Sequence, residues 1–386
     1  MTPFKDVAQR SMPRRARYDV VVAGGGLAGC AAAQLLAQAG LSVLVAERQR
    51  YPVHKLCGEF LSVEVQATFA RLGVLETVLA AGATPVRRAL LTSPQGRTLA
   101  LALPGTALGL SRFRLDPLLL EAARAAGAEA HDGLPVRGVT GSPEAGFTVA
   151  FDGATVEVRA VVGAWGKRAN LDGALSRPFV DTRTSWVGAK AHFEGADMED
   201  VIELHLAPGA YVGLQHVEDG RINVCWIGEG AGLKAAGSPD AWLGALGREN
   251  AALRDRMAGL RRVTDFEAVA QVSFARKGLF DAGVAMTGDT AAMIAPLCGD
   301  GMAMALHGAE LLAPRLAAHL SGTTTRGAFE ADYAAAWTRA FVPRLTLGRA
   351  LHTVLTRPAL ATAALHLGAA LPGLAAWIVR RTRGAA

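Results

Sequence analysis

The chain has 386 residues, of which 51% are hydrophobic and 44 are glycine, and a net charge of +6; this suits an α/β protein of two or three structural units with sizeable cores. Seven of the forty basic residues follow Asp332, where no Asp or Glu occurs, and forty less seven leaves thirty-three against 34 acidic residues, so charge excludes nucleic-acid binding by the body. Cys30, Cys57, Cys225 and Cys298 form no C-x-x-C pair, so neither a metal site nor a disulfide scaffold is expected, and a reducing cytoplasm is the expected compartment.

Arg14, Arg15 and Arg17 read as a solvated leader, because the apolar run after them is a strand and not a removable segment. That run, Tyr18–Ala23, ends at Gly24, Gly26 and Gly29 and passes into an Ala/Leu-rich helical pattern. A strand must turn sharply into a helix here, which leaves the helix N-terminal amides aimed at a pyrophosphate. A second apolar run, from Ser42, ends in Glu47, 23 residues after Gly24, where a carboxylate can accept a ribose hydroxyl bond. The stretch is therefore a dinucleotide-binding motif, with Arg48 beside its acidic residue.

A polar loop follows, from Arg48 through His54, Cys57, Gly58 and Glu59, and leads into a helix expected over about residues 62 to 80. It places the Cys57 thiol near the middle of a bound dinucleotide. Two short strands are expected around Ser93–Gly96, then a helix start at Asp116-Pro117 preceded by Arg112. Strands alternate from Pro135 to Arg159, and a buried strand over 160–164 ends at Trp165.

Residues 185–227 show period-2 alternation. Ile202, Leu204 and Leu206 share one face, with Glu203 and His205 on the other. Val217–Arg221 signals a hairpin joining Tyr211–His216 to Ile222–Trp226. This predicts an inserted antiparallel sheet, one face of which lies opposite the cofactor and forms a substrate pocket. His205, Tyr211, Gln215 and His216 are the candidates to line it. The nucleotide fold then resumes with the strand ending at Gly288-Asp289, followed by Pro296, Gly299 and Gly301 and a helix over about 302–320.

With these residues in place, the chain resembles the FAD-dependent enzymes typified by the para-hydroxybenzoate hydroxylase type of aromatic-ring monooxygenase, with the geranylgeranyl reductases as close kin. The resemblance spans roughly residues 18 to 350 and rests on the spaced glycines with Glu47, on Arg112, and on Gly288-Asp289 with Pro296, Gly299 and Gly301 following. It implies a Rossmann-like FAD-binding fold of the GR2 type, an inserted antiparallel substrate sheet and a helical C-terminal tail. The implied divisions are FAD-binding segments at 1–84, 106–181 and 276–322, substrate-domain strands at 85–105, the antiparallel-sheet domain at 182–275, and C-terminal helices at 323–386.

The resemblance further implies that Asp289 holds the ribitol, that Arg112 sits by the phosphate and ribityl region, and that the helix from Gly301 points its positive end at the flavin. The activity implied first is NADH- or NADPH-dependent hydroxylation of a hydrophobic phenolic or polyketide-like molecule through a C4a-hydroperoxyflavin. His54, His205 or Tyr211 could then act as the assisting base. The alternative is reduction of a prenyl double bond, with Cys57 as proton donor.

Two departures from the hydroxylases stand out. Trp165 replaces the Asp implicated in their pyridine-nucleotide handling, and the Cys57-Gly58-Glu59 loop is more similar to that of the reductases. Flavin halogenases need a Trp-x-Trp-x-Ile-Pro segment, which Trp186-Val-Gly is not, and a helix lysine, whereas no Lys occurs between Lys55 and Lys167.

The tail carries 21 uncharged residues from Ala359 to Val379, flanked by Arg357, Arg380, Arg381 and Arg383 and broken at Pro372-Gly373. Two short helices are expected in place of a span. Their expected placement is either peripheral on the inner face of a membrane or as a cap on the protein's own body.

Overall fold

A computed structural model describes residues 12–275 and 277–384; the leader arginines Arg14 and Arg15 are exposed, and Arg17, also exposed, opens the first strand. Five parallel strands form the nucleotide sheet in the order Val284–Met286, Ala154–Gly163, Arg17–Ala23, Val43–Glu47 and Glu129–Asp132. The central strands are near-continuous Val and Ala, and most of their residues are buried. Helices Leu27–Gln38 and Gly301–Leu320 pack on one another and, with Arg112–Ala125, fill the core beside the sheet.

The second sheet is built from Trp186–Glu194, Ile222–Glu229, Ala210–His216, Val201–Ala207, Thr84–Thr92 and Thr98–Gly109 in that spatial order, with short strands at its edges. Its long pairings are antiparallel except for Val201–Ala207 against Thr84–Thr92, which is parallel. The expected hairpin is present, with Asp219 and Gly220 both in the left-handed region.

Three local expectations need correction. The single helix over 62–80 is two, Val65–Arg71 and Leu75–Ala80, because Gly73 takes a φ of +70° between them. The helix expected to start at Asp116-Pro117 starts at Arg112, capped by the Ser111 side chain accepting from the Arg114 N–H, so Asp116 lies within the helix. The inserted sheet also carries three helices, Gly230–Ala236, Pro239–Glu249 and Ala251–Ala258, which the alternating pattern before them did not announce.

Helix Arg326–Leu355 leads to a bent pair, Pro358–Ala370 and Pro372–Arg381, whose axes differ by 111°. The break falls at the expected Pro372. Among the described residues no single helix is long and apolar enough to cross a membrane. The first helix of the pair lies on the second sheet, with Gly368 so close that a β-carbon there would sit 2.8 Å from Leu99.

Candidate cofactor and substrate site

At the end of strand Arg17–Ala23, Gly24 has a φ of +111°, and a β-carbon on it would lie 2.4 Å from the Ala164 carbonyl oxygen. A β-carbon on Gly29 would lie 1.8 Å from the Gly24 carbonyl oxygen, so helix Leu27–Gln38 seats against the strand end only with glycine there. No side chain caps this helix at Gly26, which leaves its first amides for an anion. Glu47 is buried and accepts from the Gly25 N–H at 2.9 Å and from the Gln49 N–H at 3.0 Å. Gly24, Glu47, Arg48, Trp165 and Asn170 line a cavity of about 450 Å³ at this end.

On the other side of the glycine turn lies a second cavity of about 180 Å³. Gly26, Cys57, Arg112, Asp289, Gly299 and Gly301 are among its walls. Buried Asp116 grips both local cations, Arg112 Nη2 at 2.8 Å and Lys55 Nζ at 2.9 Å, which holds a positive rim beside Gly26. Burial alone would raise the Asp116 carboxyl, but Arg112 and Lys55 overcome it and hold it below the usual range. Helix Gly301–Leu320 opens on this cavity without a side-chain cap, so its positive end faces whatever fills it. Lys277 joins the opposite walls by donating to the carbonyls of Asp289, at 2.8 Å, and of Lys167. Burial lowers its pKa to about 8.

The floor of this cavity is the Cys57-Gly58-Glu59 loop, and Glu59 is its hub. Glu59 is fully buried at a φ of +58°. It accepts from Lys190 Nζ, from the Arg112 N–H at 2.9 Å, and pairs with His192 Nε2 at 2.6 Å. Burial would push this carboxyl up, yet Lys190 and His192 hold it down at about 2. These three partners offset the cost of burying the carboxylate. The Cys57 carbonyl in turn accepts from Asn223 Nδ2 at 3.1 Å, and its thiol receives the Glu59 N–H at 3.3 Å.

A third cavity, of about 280 Å³ and almost wholly apolar, shares Gly58, Phe60, Pro296 and Gly299 with the second. Its roof is the sheet face carrying Ile202, Leu204, Tyr211, Gln215 and Cys225, and its floor is the bent helix pair. Leu367 and Leu374 line it and are exposed, so they mark a rim.

The predicted residues divide accordingly. Cys57, Arg112, Asp289, Pro296, Gly299 and Gly301 meet at the second cavity, with Gly24, Glu47 and Arg48 at the first. Tyr211 lines the apolar cavity, but its hydroxyl accepts the Leu297 N–H at 3.0 Å, and burial pushes its pKa well up. His54 is half-buried, stacked on Phe113 at 4.7 Å, and lowered to about 4 by burial and the neighbouring His192 and Lys190 charges. It is not among the residues lining these cavities.

His205 also lies elsewhere. It is on the far face of the sheet, where Thr92 Oγ1 at 2.8 Å and Glu203 at 3.0 Å bind its two nitrogens, and Arg256 from the unforeseen helices closes the group. His216 reaches the Ala196 carbonyl at 3.3 Å and the Asp197 carboxylate at 3.9 Å, and lines none of these cavities. Glu59, Lys190 and His192 were missed. The available signal was a Lys and a His at alternate positions of the apolar strand Ala189–Phe193, which puts both on one face.

An extended anion site at a helix N-terminus, an acid at the second strand and a cationic rim leading to a second helix N-terminus define a FAD-dependent oxidoreductase. A family model described as FAD binding domain matches residues 17–336, and the chain belongs to that family. It is 30% identical to a menaquinone reductase of Mycolicibacterium smegmatis over 343 residues, covering 83% of this chain and 79% of that one. It is 25% identical to a digeranylgeranylglycerophospholipid reductase of Methanothermobacter thermautotrophicus, covering 83% of each. Among solved structures, a flavin-dependent brominase superposes with a TM-score of 0.80 at 19% identity, over 95% of this chain and 93% of that one. A geranylgeranyl bacteriochlorophyll reductase-like protein of Thermoplasma acidophilum gives 0.70 at 21%, over 88% of each. At these identities the two structures speak to the fold alone.

Proposed function

We propose that the protein is a FAD-dependent reductase that saturates a carbon–carbon double bond in an isoprenoid lipid. The observation that carries this reading is the apolar cavity, which runs from the exposed rim at Leu367 and Leu374 to a wall shared with the flavin-side cavity. The names of the relatives in Mycolicibacterium and Methanothermobacter agree with it. Gly24, Gly26, Gly29 and Glu47 would hold the nucleotide half of FAD, and Arg112, Asp289 and the Gly299–Gly301 turn the flavin half. When bound and reduced, the flavin supplies the hydride. The protein orients the chain, excludes water, and offers the Cys57 thiol as proton donor to the second carbon.

Hydroxylation of a phenolic or polyketide-like molecule is the weaker reading. It is helped by a base that faces the substrate, and neither His54 nor His205 lines the cavity, while the buried Tyr211 hydroxyl resists losing its proton. The test is anaerobic incubation of the holoprotein, reduced with NADH, NADPH or dithionite, with geranylgeraniol, whose only reducible groups are its double bonds. Flavin reoxidation with a product heavier by two hydrogens is expected. Turnover only with oxygen, giving a product heavier by one oxygen, would overturn the reductase reading.

The reading extends to the tail. Leu360, Leu367, Leu371, Leu374 and Trp377 are all exposed on the bent pair, beside Arg357, Arg380 and Arg381. An anionic bilayer complements both features, each Arg near such a surface contributing about 1 kcal/mol. Intact protein should sediment with phosphatidylglycerol vesicles, and Leu371→Ser with Trp377→Ser should reduce this; failure of the intact protein to sediment removes the membrane from the proposal.

A further inference from the structure

The cavity face of the second sheet carries a polar row across three strands. His192 pairs in register with Asn223, and Asn223 with Gln215, so the three share one face. Each is buried with a polar atom that has no partner: His192 Nδ1, Asn223 Oδ1, and both amide atoms of Gln215. Only Gln215 of the three lines the apolar cavity, at 1% exposure. Its neighbours on that wall are Ile202 and Leu204, which suit an apolar ligand without any such cost.

A buried amide with neither its donor nor its acceptor engaged is expensive, and a leucine of similar size would remove the expense. The register also fixes where the amide lies. Asn223, one cross-strand step away, donates to the Cys57 carbonyl, so Gln215 stands at the end of the cavity nearest the flavin-side loop. The geometry points to Gln215 as the polar anchor of the ligand. It selects an isoprenoid bearing a carbonyl or hydroxyl group, held next to the flavin while the hydrocarbon chain runs under Leu204 toward Leu367 and Leu374. An amide both donates and accepts, so it can take either a ketone-type oxygen or an alcohol. This rests on the lipid reading proposed above and adds which part of the lipid is read, and by which side chain.

The experiment is equilibrium binding to the oxidised holoprotein, which cannot turn over, followed by perturbation of flavin absorbance. The probes are geranylgeraniol and a hydrocarbon of the same carbon skeleton lacking the hydroxyl. Native protein should bind the alcohol about tenfold more tightly. Gln215→Leu, with flavin content unchanged, should weaken the alcohol about tenfold and leave the hydrocarbon as tight or tighter. Equal binding of alcohol and hydrocarbon by native protein, or an unchanged preference in Gln215→Leu, overturns the anchor and leaves the lipid reading standing. Binding of neither lipid by flavin-loaded native protein overturns the lipid reading and the anchor with it.

Discussion

The two cavities that meet at Gly58, Phe60, Pro296 and Gly299 are built by opposite means. The flavin-side cavity has five glycines, a tight loop and two uncapped helix N-termini in its wall, beside charged and apolar side chains. The apolar cavity is walled by side chains from strands and helices that lie far apart in the chain. Backbone walls tolerate no added atoms but hardly depend on side-chain identity. Side-chain walls accept conservative exchange and set which ligand fits. On the function proposed above, the cofactor common to many enzymes would be held by the glycine-rich half, and the ligand by the adjustable half.

The sharpest way to break this contrast is at Gly29. In Gly29→Val the new side chain starts 1.8 Å from the Gly24 carbonyl, so the strand and helix must part. Loss of nearly all bound flavin is expected, measured as flavin per protein after purification; full occupancy would mean the turn is not the phosphate cradle.

Next is the loop that separates the cavities. Glu59→Gln leaves Lys190 buried without its counter-charge, and a loss of about 3–5 kcal/mol in urea unfolding is expected. The sign with pH follows from the lowered carboxyl. Glu59 goes from an ordinary 4.5 to about 2 on folding, so its contribution is complete above 4.5 and fades as pH falls toward 2. The variant should lack that part of the acid sensitivity.

A smaller effect is expected at Cys57, whose substitution by alanine should slow turnover about tenfold, or about 1.4 kcal/mol, with flavin retained. Turnover at the native rate would return the thiol to a packing role. The smallest effect concerns His352, near the outer cavity and packed among Trp186, Tyr211 and Phe274 with both ring nitrogens unpartnered. Burial lowers it from 6.5 to about 4. The unfolded chain therefore takes up a proton that the folded one refuses, and stability is lost as pH falls from 6.5 toward 4. His352→Phe should raise the melting temperature slightly at neutral pH and flatten its decline across that interval.

The same contrast explains what could be read from the sequence. Gly24, Gly26 and Gly29, Gly288-Asp289 and the helix beginning at Gly301 are local patterns, each fixed by what a backbone can do within a dozen residues. The hairpin at Asp219-Gly220 was equally local. Glu59 was not legible as a hub because its partners Lys190 and His192 lie 131 and 133 residues on, and only tertiary packing sets one against the other. His205 read as a pocket candidate because nothing near it in the chain announces the helices, some thirty residues later and with their own periodicity, that bury its face away from the cavities. Asp116 beside Pro117 mimics a helix start, whereas Ser111 is the cap and Asp116 answers Arg112 one turn away.

The Gly384 N–H donates to Glu64 Oε1 across 320 residues, and Thr362 bonds Gln95 across 267. During synthesis the cradle for the nucleotide waits for strand Val284–Met286, and the outer chamber waits until its floor has left the ribosome. The long strands of the second sheet are complete by Glu229, so a nascent chain leaves the greasy underside of that sheet uncovered until the last two helices, Pro358–Ala370 and Pro372–Arg381, are made. A chain stopped short of the last two helices would offer chaperones and proteases an open hydrophobic trough.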